Sequence, residues 1–411
     1  MNYADLDINL TEEQKAMRDV ARKFGVEVMR PAGIELDAMA DPADVIADGS
    51  VFWDVLRQYR ELGFHKRGMP KDLGGIAGEV DTLSGAMIME ELGYADAGLA
   101  IALACSGSGF NYLAMSPDPE LREIAKAYIE DTDGKMVGCW AITEPDHGSD
   151  WILSTDPEFK DPAVSPSLKA VLEGDEYILT GQKSAWVSDG TIATHASLHV
   201  GLEPEKGMQG SGVAVVPLDL PGISKGKPLN KMGQRALNQG EIFFDNVRLP
   251  KKYMVISDAD MASHSGMLKA ILTGANTFMS ATFAGLAKAA FDEAFAYAKE
   301  RIQGGKPIFE HQNVQLKLMD MFMQVEAARS LSRRTVLYNA AHPPGSLAHA
   351  VAAKIMSTGT ATRVAGEAIQ IFGGNGLSKE YIIEKIFRDA KASMIEDGEN
   401  SALALSAAKH L

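Results

Sequence analysis

The stretch Trp140-Ala-Ile-Thr-Glu-Pro-Asp-His-Gly-Ser-Asp150 stands where the chain changes texture. Before it, apolar residues recur at helical spacing; after it, they alternate or cluster as in strands. On the N-terminal side, Thr11-Glu-Glu-Gln14 is a capping-box pattern followed by Met17, Val20, Ala21 and Phe24 at three-to-four spacing. A helix is predicted to start there. Further helices are predicted around 51–63, 81–96 and 118–130, separated by loops rich in Pro, Gly and Asp, so that 1–135 reads as a helical domain.

On the C-terminal side, 170–179 and 181–188 carry β-formers about the Gly174-Asp175 turn, and Val213-Ala-Val-Val-Pro217 and Ile242-Phe-Phe-Asp-Asn-Val247 continue the pattern. A middle domain over 136–255 is predicted, an antiparallel β-barrel or sandwich. Residues 151–168, with Pro157, Pro162 and Pro166, read as an inserted surface loop. Over 256–411, Val314, Leu318, Met321, Val325 and Ala328 resume helical spacing and predict a helical bundle. Met319, Met321 and Met323 in that run are read as core filling. The fold class is therefore α+β and multi-domain.

A chain of 411 residues with 46% hydrophobic and 23% charged side chains has the balance of a globular protein with ample core. Its formal charge of -15 repels nucleic acid and anionic lipid, so an anionic ligand needs a local site. Cys105 and Cys139 are too few for a disulfide framework or a zinc cage; both are expected to be buried thiols, and no metal is expected. The N-terminus lacks a basic segment followed by an apolar one, and no apolar run approaches the ~20 residues that span a bilayer. The expectation is a cytoplasmic protein without a membrane span.

Three segments make the reading specific. Residues 140–150 resemble a flavin-binding signature of the acyl-CoA dehydrogenase family, a Thr-Glu-Pro turn followed by Gly-Ser-Asp. Gly181-Gln-Lys-Ser-Ala-Trp-Val-Ser-Asp-Gly190 is similar to the family's second flavin segment. Ala368-Ile-Gln-Ile-Phe-Gly-Gly-Asn-Gly376, with Glu384-Lys385 and Arg388-Asp-Ala-Lys391, is similar to its third. The resemblance covers nearly the whole chain and implies bound FAD, an acyl-CoA substrate, electron-transfer flavoprotein as acceptor and a homotetramer built from two dimers. It implies that Trp140, Ile142, Thr143, Ser149, Trp186 and Ser188 serve the flavin ring, with Ser149 also meeting the thioester. It further implies that Arg301, His311, Gln312, Gln370, Gly373, Gly374, Glu399 and Ser401 hold the rest of the cofactor, Arg301 and Gln312 reaching into the neighbouring subunit. The chemistry suits the group: a flavin ring takes hydrogen-bond donors along one edge and an aromatic wall, and its diphosphate takes unobstructed backbone N–H groups. Singly, Thr143 and Ser188 read equally as turn residues and Trp186 as a core aromatic. Gly304 stands where the family usually has Phe.

The resembled reaction removes an α-proton from a thioester with a Glu while a hydride leaves the β-carbon for the flavin. Here Ile395-Glu-Asp-Gly-Glu399 replaces the usual Tyr-Glu-Gly-Thr, and gap-free counting puts Asp397 at the base position and Glu396 at the Tyr. Asp397 and Glu396 are the catalytic candidates. Asn276, replacing an Arg many relatives keep, and Gly398 are the substrate-binding candidates beside Ser149. The position from which some relatives supply a base is occupied by Ala275. Three alternatives remain open: a base elsewhere acting on an alicyclic thioester, a nitroalkane-oxidase-like reaction, though Ala404 stands where those oxidases carry Arg, and a non-catalytic flavin-binding partner. Asp397 also reads as a helix N-cap, Glu396 as a solvated helix-end acid, and His147 as a loop histidine contacting backbone.

Overall fold

Thr11 accepts from the Gln14 N–H while the Gln14 side chain accepts from the Thr11 N–H, and this reciprocal cap opens α1 (Glu12–Phe24). Ala21 and Phe24 are buried, whereas Val20 faces outward. The computed structural model describes Leu6, 9–257 and 261–411, without the side chains of 261–268. Most of the N-terminal stretch read above for a targeting signal therefore lies outside the described residues. A π-helical turn (Gly25–Met29) carries α1 into α2 (Arg30–Ala38), followed by α3 (Val51–Glu61), α4 (Thr82–Ala95), α5 (Ala97–Cys105), α6 (Phe110–Ala114) and α7 (Pro119–Glu130). Helices α4 and α5 are buried on nearly every side, as expected of helices apolar all round. The most apolar stretch, Ala97–Ala114, is mostly buried and is broken by a turn between α5 and α6.

The middle strands are β1 (Gly138–Ala141), β2 (Lys169–Glu173), β3 (Glu176–Lys183), β4 (His195–Gly201), β5 (Ser211–Pro217), β6 (Ile223–Lys225), β7 (Ile242–Pro250) and β8 (Met254–Ile256). They form one sheet in the order β6-β7-β3-β2-β4-β5-β8, with β1 on β4. Most pairings are antiparallel, including the β2–β3 hairpin about Gly174-Asp175, but β1–β4 and β2–β4 run parallel. Strand β3 ends at Lys183; beyond it Ser188 makes only an isolated bridge to Gln239. The 151–168 insertion folds into short 3-10 turns, and Trp151 and Ile152 are buried, Trp151 against His199 of β4 and Ile152 in a cluster with Leu347, Val351 and Leu403.

The C-terminal part comprises α8 (Met261–Glu300), a short hairpin of β9 (Ile302–Gln303) and β10 (Lys306–Pro307), α9 (Gln312–Ala341), α10 (Leu347–Phe372), α11 (Ile383–Ser393) and α12 (Asn400–Ala408). Helices α4, α8, α9 and α10 share one apolar core with α1 to α3 and α5. On α9, Leu318, Met321, Val325 and Ala328 are buried, but Met319 and Met323 point outward, two residues to either side of Met321 and off its face. Cys139 is buried as expected; Cys105, at the end of α5, is only partly so.

Candidate active site

The Thr-Glu-Pro turn is held from within. Glu144 is buried, and its carboxylate accepts from the Ser167 N–H at 2.5 Å, the Leu168 N–H at 3.2 Å and Lys183 Nζ at 2.7 Å. Lys183 also donates to the Ile142 carbonyl at 3.1 Å, so this ion pair staples the end of β1 to β3 and to the close of the insertion. Burial drives the Lys183 ammonium down to about 8 against the attraction of Glu144. The Thr143 carbonyl accepts from the Ser184 N–H at 2.9 Å, and the two flavin-like segments thereby lie side by side. His147 is paired through Nδ1 with Asp150 at 2.7 Å, a carboxylate rather than backbone contact, because Asp150 folds back to bond the Gly148 N–H as well. Trp140 donates its indole N–H to His199 at 2.9 Å.

Asp397 occupies a tight turn between α11 and α12 with a left-handed φ of 50°. Lys354 of α10 is fully buried and donates to the carbonyls of Glu396 at 3.1 Å and Gly398 at 2.9 Å and to Asn400 Oδ1 at 2.9 Å. Ser149 Oγ accepts from the Glu399 N–H at 3.1 Å, joining the 140–150 loop to the same turn. Gln234 donates to the Glu396 carboxylate at 2.7 Å. Although Glu396 and Asp397 keep partial exposure, dense surroundings raise both carboxylates. Burial and then the neighbouring Asp397 push Glu396 to about 7, while burial raises Asp397 against the pull of Lys354. The helix cap is Glu399, which accepts from the Ser401 and Ala402 N–H groups, so Asp397 is left out of capping. Glu399 and Ser401 are engaged with each other there.

A second connection runs from this turn to Ser188 through residues 226–241, between β6 and β7. Gln239 donates to Ser188 Oγ at 3.3 Å and to the Trp186 carbonyl at 3.2 Å, and Lys231 donates to Gln239 Oε1 at 2.8 Å. Gln234, on the same segment, meets Glu396. Asp189, beside Ser188, is fully buried with neither carboxylate oxygen hydrogen-bonded, and burial holds it far toward its acid form. Lys231, Gln234, Gln239 and Lys354 escaped sequence reasoning. A 226–241 connection longer than the ~12–15 residues usual for structureless loops, and a lone Lys in the apolar run that starts at Leu347, were the available signals. Asn276 is fully buried, its amide donating to the Leu272 carbonyl at 2.8 Å and its oxygen without a partner among the described residues.

The remaining cofactor candidates gather at the far end of α10. Tyr297 stacks on Phe372 at 4.0 Å and accepts from Asn375 at 3.0 Å, bringing the end of α8, and Arg301 beyond it, to the Gly373–Leu377 turn. Arg301, Gln312 and Gln370 are exposed, and His311 bonds the Gln303 carbonyl at 2.9 Å. Gly304 and Gly305 both have positive φ in the two-residue turn joining β9 and β10, which accounts for a glycine where the family usually carries Phe. Lys354 and Gln370 are about 24 Å apart along one helix at 1.5 Å per residue. The donor set suits a flavin dinucleotide. Trp186 is 58% exposed, the Thr143 hydroxyl has no hydrogen-bond partner among the described residues, and no atom lies within 4 Å of where a Cβ on Gly373 or Gly374 would sit.

Three family models match the chain: the acyl-CoA dehydrogenase N-terminal domain over 11–124, middle domain over 139–247 and C-terminal domain over 267–411. Cyclohex-1-ene-1-carbonyl-CoA dehydrogenase of Geobacter metallireducens is 31% identical over 395 residues, 95% of this chain and 96% of that one. Among solved structures, butyryl-CoA dehydrogenase from Megasphaera elsdenii has 28% identity and a TM-score of 0.83, covering 98% of this chain and 99% of its own. A chain in the structure of the electron transferring flavoprotein of Acidaminococcus fermentans has 28% identity, the same coverage and a TM-score of 0.84. This chain belongs to the acyl-CoA dehydrogenase family, FAD-dependent oxidoreductases acting on CH–CH bonds.

Proposed function

We propose that this protein converts an acyl-CoA thioester to its 2-enoyl-CoA with Asp397 as the base. The observation that carries the proposal is the Asp397 turn, pinned by Lys354 and tied to the flavin-side loop through Ser149 and Glu399. A carboxylate in such surroundings is poorly solvated, which raises its basicity toward a carbon acid. The N–H groups of Asp397 and Gly398 have no partner among the described residues, and they are suited to donate to the thioester carbonyl oxygen and stabilise the charge that develops there. FAD, when bound, supplies the acceptor for the hydride that leaves the β-carbon. Asp397 retains the α-proton, and the carbon–carbon double bond forms from the electrons of the broken Cα–H bond.

Anaerobic stopped-flow mixing with a panel of straight, branched and alicyclic acyl-CoAs tests the reading. The Asp397→Asn variant keeps its FAD and loses flavin reduction by every thioester; reduction at the parental rate would overturn the assignment. An alicyclic thioester is the second reading, favoured by the similarity to the cyclohexene-carbonyl enzyme and by Glu396, a second carboxylate beside the first. Peroxide formed from a nitroalkane, with no reduction by any acyl-CoA, would move the assignment to the oxidase class. Electron-transfer flavoprotein is the proposed acceptor in the cytoplasm. The ~24 Å between Lys354 and Gln370 on α10 supports a cofactor shared by two copies of the chain, with Arg301 and Gln312 serving the neighbour, in a tetramer of two such dimers. The proposed division of labour gives 1–135 to enclosure, 136–255 to the flavin ring and thioester, and 256–411 to the base, the diphosphate and assembly.

A further inference from the structure

We propose that Lys354 is the positioning residue of this site: its buried ammonium grips the carbonyls on both sides of Asp397 and thereby sets where that carboxylate points. The inference rests on the reading of Asp397 as the base. Three oxygens, Glu396 O, Gly398 O and Asn400 Oδ1, lie 2.9 to 3.1 Å from Nζ, and they bracket the one residue of the turn that adopts a left-handed φ without being glycine. A turn of this kind leaves carbonyls converging inward, where water cannot reach them; a cation is the group that satisfies several at once. Asn400 Nδ2 bonds Thr358 Oγ1 at 3.1 Å, so the acceptor side chain is itself oriented from α10. The clamp therefore runs from one helix, at positions 354 and 358, to a turn that is also tethered by Ser149 at the Glu399 N–H and by Gln234 at Glu396.

The same ammonium is the cation that pulls against the burial-driven rise of the Asp397 carboxylate. The other titratable groups around the turn are Glu396 and Glu399 on the turn itself, Lys231 from the 226–241 segment, and the Cys105 thiol at the end of α5. Removing Lys354 thus has two separable effects. The carboxylate loses its aim, and a displacement of ~1 Å lowers a rate by roughly 100-fold. It also loses a neighbouring cation, which moves its titration upward by on the order of one pH unit.

The experiment is stopped-flow flavin reduction across pH in the FAD-loaded enzyme, comparing the parent, Lys354→Met and Asp397→Asn. Lys354→Met is expected to retain FAD, to lose roughly 100-fold in limiting rate with little change in the substrate concentration at half-maximal rate, and to show its ascending pH limb displaced upward by about one unit. A parental limiting rate and an unmoved pH limb in Lys354→Met, with Asp397→Asn inactive, would overturn this inference alone. Activity in Asp397→Asn would overturn the reading on which it rests. If Lys354→Met fails to fold, Asn400→Ala decides: it keeps the ammonium and removes one acceptor, so it should lower the limiting rate without moving the pH limb, and a parental rate would refute the clamp.

Discussion

Glu396 and Asp397 are consecutive acids with different surroundings. Gln234 ties down the Glu396 side chain, whereas Lys354 grips the backbone on either side of Asp397 and leaves its carboxylate out of any cap. Counting along the chain assigned these positions; the partners come from α10 and from the 226–241 segment, far away in sequence. Burial and then the Asp397 charge disfavour ionisation of Glu396, whereas Asp397 itself is raised by burial against the pull of Lys354. Replacing Glu396 by Gln leaves in place both the burial of Asp397 and the pull of Lys354, which set the Asp397 titration. The base is competent when ionised. The ascending limb of flavin reduction should therefore stay at its parental pH in Glu396→Gln while the plateau rate falls less than tenfold, a milder loss than a base displaced by ~1 Å, which costs about 100-fold. A plateau loss as large as that of Asp397→Asn would give the base to Glu396 instead.

At the scale of elements, the two ends of α10 do different work. Its first turns carry Lys354 and Thr358 to the Asp397 turn, and its last residue runs into Gly373, whose φ of 62° and ψ of -135° lie where only glycine is comfortable. No atom crowds the Gly373 Cβ position, so substitution there acts through backbone strain and through the added methyl alone. Gly373→Ala should destabilise the protein by about 1–3 kcal/mol, read by thermal unfolding, and should weaken FAD retention on dilution because a methyl now stands before the exposed amides. Retention equal to the parent would remove this turn from the diphosphate site. The capping box of α1, the β2–β3 hairpin and the period of α9 were legible because each depends on residues a few positions apart. The parallel pairing of β1 with β4 was not, since it joins residues more than fifty positions apart.

For the molecule as a whole, burial sets the response to pH. His65 and His195 are both depressed to about 4, mainly by burial, and are neutral in the folded protein. In the unfolded chain they gain protons below about 6.5, so the unfolded state binds more protons between those limits. Their contribution to stability is complete above pH 6.5 and is lost as pH falls toward 4. The midpoint of thermal unfolding should thus hold steady above about pH 7 and drop from about pH 6.5 downward, with a smaller drop in His65→Gln. An identical drop in that variant would show that His65 carries none of the effect. Assembly belongs to this scale as well. Arg301 is exposed, and its side chain is unpaired among the described residues. If it serves the neighbour's cofactor, Arg301→Ala should lose FAD while light scattering still reports a tetramer; a parental FAD content in that variant, or a stable FAD-loaded monomer, would exclude the shared site.

The sequence by itself determined the order of domains, the flavin-like segments and the consecutive acids Glu396 and Asp397, because periodicity, turn chemistry and short motifs are local properties of the chain. It misjudged Met319, Met323 and Cys105, whose types favour burial but whose exposure is decided by neighbouring elements. Only the tertiary structure decided that Lys354, Gln234 and Ser149 converge on one turn, and that Glu399 rather than Asp397 caps α12. Hydrogen bonds between residues tens to hundreds of positions apart follow from how helices and strands pack. No local pattern in the chain records which buried lysine will meet which carbonyl.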